Sequence, residues 1–216
     1  MTWQIETHCH TLISEDSLVR PADLVAAVRR KGLDRVIITD HNSITGALAA
    51  QAIDPELVIV GEEIMTRQGE ILAFYVQELI PPGLEALQTI QILRQQGACI
   101  SVSHPFDQMR GGHWELRDLE AITPLVDAVE VFNARCMHPG YNEQAQTFAR
   151  LHDLPGTAGS DAHALFELGR ARLLVPPFKD ADELRGVIRQ AQVQGRLSPH
   201  WVHLASRYAV WRKRLG

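Results

Sequence analysis

The chain has 216 residues, 45% hydrophobic and 22% charged, with a formal net charge of −5. That is enough for one domain with a sizeable core, and the mildly acidic balance argues against a general, charge-driven binder of nucleic acid while leaving room for a local basic patch. No apolar run approaches the roughly 20 residues of a membrane span, and the start "MTWQIETHCH" lacks the pattern of a signal peptide. The three cysteines, Cys9, Cys99 and Cys136, have no CxxC spacing. A cytoplasmic protein with buried thiols, and no membrane partner, is expected.

The first apolar run ends in "IETHCHTLISED" (5–16). A helical pattern follows at 20–33, with Pro21 near its start, Leu24, Val25 and Val28 on one face and Gly32 as a stop. Next come the β-branched run "VIITD" (36–40), then "LVIVG" (57–61) and "EILAFYV" (70–76). A second helical pattern spans 83–97 and closes on a glycine. "ACISVS" (98–103) and "DAVEVF" (127–132) read as strands, and 141–154 as a helix. "TAGSDAH" (157–163) again runs from apolar to polar. "ARLLVP" (171–176) is a strand pattern and 180–192 a helical one. Strands alternating with helices predict parallel βαβ units, and no Pro/Gly/Ser-rich linker divides them. The expectation is one α/β domain over 1–216. Its end, about 200–216, predicts a basic amphipathic helix that packs Leu204 and Trp211 on the rest of the protein and leaves its charges in water.

Five of the strand patterns end in polar, metal-competent residues. In an α/β barrel the carboxyl ends of the strands meet on one face, so such residues share a pocket. An open sheet would gather ligands only near its switch point. His8 and His10 stand two apart and project to the same side of a strand, with Cys9 opposite. Asp40 and His41 end the second run. Glu62 and Glu63 are neighbours, so only one can face the pocket. His104 ends the "ACISVS" run before Pro105, and Asp161 and His163 again stand two apart. Singly, each group reads as an ordinary turn or a satisfied core histidine. Jointly they predict a multinuclear metal site. The donors are nitrogen and oxygen, which suits Zn, Mn or Fe. Clustered ions of this kind lower the pKa of a water and hold negative charge on phosphoryl or carbonyl oxygens.

The ordered set "THCHTLISEDS…ITDHNSITGA…GEEI…SHPFD…GSDAH" resembles the PHP (polymerase and histidinol phosphatase) superfamily over roughly residues 5–170. The resemblance implies a distorted (β/α)7 barrel holding two or three divalent metal ions at its mouth. It implies that His8, His10, Glu63 and Asp161 hold one ion. It implies that Glu15, with Asp16 adjacent as the alternative register, joins His41 and His163 around a second, and that His104 contacts a third beside Glu63. Many members carry one more histidine after the GxEI motif. Here "GEILAFYVQELIPPG" (69–83) has none, which predicts a third site short of one ligand.

Arg110 and Arg135 follow strand-end motifs and suit phosphate oxygens, and Asn133 is a candidate to orient a water or the substrate. Asp161 and His104 are candidate proton relays. His113 and His138 are expected in loops, and the two glycines of "RGGHW" suggest a mobile segment. The resulting expectation is a metal-dependent phosphoesterase acting on a small phosphorylated substrate, a phosphomonoester or nucleotide. The alternative is a non-catalytic, metal-stabilised module for nucleic acid or a protein partner.

Overall fold

A computed structural model describes residues 1–215. Strand β1 (Trp3–Glu6) leads through the His8–His10 loop to helix α1 (Pro21–Arg30). Pro21 starts α1 where no backbone donor is needed, and Leu24, Val25, Ala27 and Val28 bury its inner face. Strand β2 (Arg35–Ile38), helix α2 (Thr45–Ile53) and strand β3 (Val58–Met65) complete a right-ordered parallel start. Then follow β4 (Glu70–Phe74), α3 (Ala86–Gln95), β5 (Cys99–Val102), α4 (Leu116–Ile122), β6 (Ala128–Asn133), α5 (Pro139–Leu151) and β7 (Gly156–Gly159). The chain continues through β8 (Ala171–Val175), α6 (Ala181–Val187), β9 (Gln192–Gly195) and α7 (Val202–Arg214).

The strands form one sheet in the order β7-β6-β5-β4-β3-β2-β1-β8-β9. It curls until β7 approaches β8. There the Ser160 hydroxyl, just past β7, donates to the Ala171 carbonyl at 3.2 Å and accepts from the Ala171 N–H at 3.1 Å. The result is a nearly closed, distorted barrel, as the resemblance implies. It departs from the expected run of parallel units. β4 is antiparallel to both β3 and β5, and β8 is antiparallel to both β1 and β9. The link from β3 to β4 is too short for a crossover, so the two strands can only form a hairpin. The expected helix over 180–192 also ends early, and Gln192–Gly195 pair with β8 instead.

Strand alternation sorts the apolar residues into two layers. Ile5, Ile37, Ile59, Leu72, Phe74 and Cys99 fill the barrel, closed below by Phe178, Leu184 and Ile188. Val36, Ile38, Val60, Ile64, Ile100 and Val129 face outward onto α1–α5. Cys9 belongs to the outer layer, so His8 and His10 look inward, as their spacing requires.

Helix α7 lies differently from the expectation. Leu204 is 63% exposed and Trp211 56%, and the residues α7 buries are Val202 and Ala209. Small residues let the helix sit close against the barrel mouth. Its large apolar side chains Trp201, Leu204, Tyr208 and Leu215 face solvent, while Trp211 borders the mouth cavity.

Candidate metal centre

His8 and His10 enter the barrel mouth just after β1. His8 is held by Glu130 on β6, whose Oε1 lies 2.9 Å from Nδ1. That leaves Nε2 turned into the mouth. Close approach of β7 is possible because residue 159 is glycine: a Cβ there would collide with that of His8. His10 is oriented the same way, its Nδ1 3.1 Å from Ser14 Oγ. Ser14 in turn donates to Asp40 at 2.7 Å, and Asp40 also receives the Thr11 N–H at 2.7 Å. Asp40 thus holds the loop together and is spent on it.

Glu63 is the hub. Its Oε2 lies 3.2 Å from His8 Nε2, 3.5 Å from His10 Nε2 and 3.0 Å from His41 Nδ1. Its Oε1 is 3.2 Å from His104 Nε2 and accepts from Ser103 Oγ at 2.7 Å. Glu62 points the other way and accepts from the Ile80 N–H at 3.1 Å. Asp161 has a positive φ of 52°, a conformation that aspartate tolerates better than most residues. Its Oδ1 is 3.2 Å from His10 Nε2 and 3.6 Å from His8 Nε2. His163 is fixed through Nδ1, 2.8 Å from the Asp161 carbonyl, and presents Nε2.

The second group is corrected at one position. Glu15 is exposed and turned away from the site. Asp16 faces it, with Oδ2 2.8 Å from His163 Nε2 and Oδ1 3.7 Å from His41 Nε2. The third group gains a residue that the search for a further histidine missed. Glu70, at the start of β4, puts Oε2 3.4 Å from His104 Nε2 and Oε1 3.9 Å from His41 Nδ1. No histidine lies in that segment, yet the group is not short of a donor. The only signal in the sequence was an acidic residue opening an apolar strand.

Do these residues fit metal ions? Two atoms bound to one zinc at about 2.1 Å and tetrahedral angles lie about 3.4 Å apart. The inward separations above cluster around that value. Several of the atoms concerned, His8 Nε2, His10 Nε2, Glu63 Oε2, Asp161 Oδ1 and His163 Nε2, are buried with no hydrogen-bond partner. Buried polar atoms are rarely left so. Three donor groups are close enough to share an ion: His8, His10 and Glu63; His10, His41 and His163; and His41, Glu63 and Glu70. Against burial, the Glu63 carboxylate raises His41 to about 10 and His8 well above its ordinary value, so the carboxylates call for positive charge at these rings, which an ion would supply. Burial pushes His10 down to about 3, helped by His163 and His41, which keeps the ring neutral and able to ligate. Burial alone would raise Glu63 and Asp161. The neighbours His8 and His41 for the first, and Arg110 and His8 for the second, outweigh it and keep both ionised.

Of the residues expected to meet substrate, Arg110 and Arg135 line the cavity at the mouth and Asn133 does not. Arg110 pairs with Asp161 and lies 3.2 Å from Asp107. Arg135 donates to Ser206 Oγ at 2.9 Å and lies 3.6 Å from Glu167. Asn133 is fully buried and donates to Glu130 at 3.1 Å and Asp161 at 3.2 Å, so it positions those carboxylates instead. His113 and His138 lie away from the donor groups: His113 Nδ1 is 2.7 Å from the Arg110 carbonyl, and His138 caps α5 by accepting from the Gly140 N–H. The glycine segment is tied down at its middle and at its C-terminal end. Gly112 accepts from the Glu70 N–H, and the Trp114 indole donates to the Glu70 carbonyl, both at 3.0 Å.

The sequence model of the PHP domain matches residues 6–92, and that of a PHP-associated region matches 139–193. The chain is 32% identical over 171 residues to an uncharacterized protein of Methanocaldococcus jannaschii, covering 78% of this chain and 68% of that one. It is 35% identical over 123 residues to a second from the same organism, covering 55% and 69%. In fold it is similar to a two-domain protein of Bacteroides vulgatus containing a predicted PHP-like metal-dependent phosphoesterase. The TM-score is 0.75 at 20% identity, over 91% of this chain and 65% of that one, just under two thirds of its length. The ordered ligand motifs, the barrel and these matches together place the chain in the PHP superfamily.

Proposed function

We propose that this protein is a metal-dependent phosphoesterase that hydrolyses a small phosphate ester, a phosphomonoester or nucleotide, at the barrel mouth. The observation that supports it is the set of buried, hydrogen-bond-free donor atoms arranged around Glu63. His8, His10, Glu63 and Asp161 would hold one ion, Asp16, His41 and His163 a second, and Glu63, Glu70 and His104 a third. Bound ions would supply Lewis-acid charge and acidify a water. Zinc, manganese and iron all accept nitrogen and oxygen donors of this kind.

The chain's own residues do the rest. Arg110 and Arg135 stand on the cavity wall and bind phosphate oxygens by charge-assisted hydrogen bonds. Asp107 and Glu167 hold the two guanidinium groups from behind, which keeps them oriented before substrate arrives. Asp161 and His104, buried within the donor cluster, relay protons. Glu130 keeps the His8 ring turned so that Nε2 faces inward.

The test is a screen of phosphomonoesters and nucleotides with metal-free protein reloaded separately with Mn, Zn and Fe. Turnover that depends on the metal and is lost in a Glu63→Gln variant is expected. Full metal uptake without turnover of any ester would instead favour a metal-stabilised binding module.

A further inference from the structure

Helix α7 lies beyond both matched stretches of sequence, yet it builds one wall of the mouth cavity. That cavity measures about 660 Å³. Volumes of this size accommodate a whole small-molecule ligand, far more than one phosphate group needs. Asp16, His41 and His163 lie on one side of it, and Arg207, Trp211 and Arg214 on the other.

We infer that the substrate carries a second anionic group, and that Arg207 and Arg214 on α7 form the subsite that binds it. This rests on the phosphoesterase reading above and extends it to the leaving-group side. Arg207 and Arg214 are seven residues apart, so they lie two turns along one face, about 10 Å from each other. The sequence of α7, "VHLASRYAVWRKR", contains no acidic residue. Among the described residues neither arginine has a carboxylate within ion-pair distance. Arg110 and Arg135 differ in this respect, since each already faces one. Two uncompensated guanidinium groups on one cavity wall, in a chain of net charge −5, select for negative charge in the ligand.

The wall is also held in place. Lys213 Nζ donates to the Leu12 carbonyl at 2.6 Å and the Ser14 carbonyl at 2.5 Å, in the loop that carries Asp16. Arg135 reaches Ser206 from the opposite side. α7 is therefore fixed relative to the donor cluster, and the two arginines gain affinity without first ordering the helix. Trp211, between them on the same wall, offers a flat apolar surface for the body of the substrate. The ligand class is thus an ester with phosphate at one end, a flat or apolar middle, and a carboxylate or second phosphate at the other.

Binding of non-hydrolysable probes tests this without relying on turnover. Manganese-loaded protein is titrated calorimetrically with phenylphosphonate, 4-carboxyphenylphosphonate and the longer 4′-carboxybiphenyl-4-phosphonate. At least one carboxylated probe should bind tenfold or more tightly than phenylphosphonate. The double variant Arg207→Ala/Arg214→Ala should reduce that preference to within twofold, with metal content and phenylphosphonate affinity unchanged. Arg212→Ala, on the other flank of α7 and outside the cavity, should keep the preference. Equal binding of all three probes by the unaltered protein, or a preference that survives the double variant, overturns this inference alone. Failure of the loaded protein to bind any phosphonate overturns the phosphoesterase reading and the inference together.

Discussion

Glu62 and Glu63 are adjacent carboxylates of one strand, and their replacement by glutamine should have opposite consequences. Glu63 stands within 3.0–3.5 Å of nitrogens from His8, His10, His41 and His104, so its charge is shared among the donor groups. Glu63→Gln should lower metal content and abolish hydrolysis. Glu62 faces the outer layer, and burial raises its carboxyl from the ordinary 4.5 to about 7. The sign follows from proton linkage. The folded chain binds this proton more tightly than the unfolded one does. Glu62 therefore costs nothing below pH 4.5, destabilises progressively as pH rises to 7, and exerts its full effect above that. The gap corresponds to about 3 kcal/mol. Glu62→Gln keeps an acceptor for the Ile80 N–H but removes the buried charge. In chelator, at pH 8, its urea unfolding free energy should exceed that of the unaltered protein by an amount approaching 3 kcal/mol. The difference should vanish near pH 4. Other buried carboxyls, Glu6 and Glu167 among them, are also raised to about 7, so only the difference between the two proteins isolates Glu62. A Glu62→Gln protein that loses metal, or whose stability gain is the same at pH 4 and pH 8, would refute the facing assigned to the pair.

Metal analysis of protein purified without chelator should give at least two ions per chain, and fewer than one with no uptake on reconstitution would contradict the donor geometry. Asp16→Asn should weaken the second ion's binding while Glu15→Gln leaves it unchanged, as measured by competition with a chromophoric chelator. Glu70→Gln should cost the third ion and leave the first two, visible as a drop in stoichiometry in phosphate-free titration; three ions retained would remove Glu70 from the ligand set. Arg110→Ala and Arg135→Ala should each weaken phosphate binding by about 1.5–3 kcal/mol, the worth of a hydrogen bond to a charged group. Calorimetry on the metal-loaded variants checks this, and unchanged phosphate affinity would refute the clamp.

Much of the candidate donor cluster was legible in the sequence because strands have a fixed period of two. The shared side of His8 and His10, and the rule that only one of Glu62 and Glu63 can face the mouth, follow from alternation at a strand end; the selection of Glu63 and the role given to Asp161 came from the family motifs. Alternation could not decide between Glu15 and Asp16. They sit in a loop with no period, and the bonds of Ser14 and Thr11 to Asp40 set which one turns inward. Glu70 escaped for a topological reason. β4 runs antiparallel to β3, so its beginning rather than its end lies at the mouth. The strand-end rule that pointed to the other candidate donors looks at the wrong end of such a strand. Glu130 is hidden in mid-strand, where only the curl of the sheet brings it to His8. The stripe of α7 was visible as a helical pattern, but a pattern does not say which side faces the barrel. Contact decided that: Val202 and Ala209 allow a close approach that Leu204 would prevent, so Leu204 and Tyr208 face outward while Trp211 and the arginines line the mouth. Local periodicity fixes which residues share a face of one element, whereas packing between elements distant in the chain fixes where that face points.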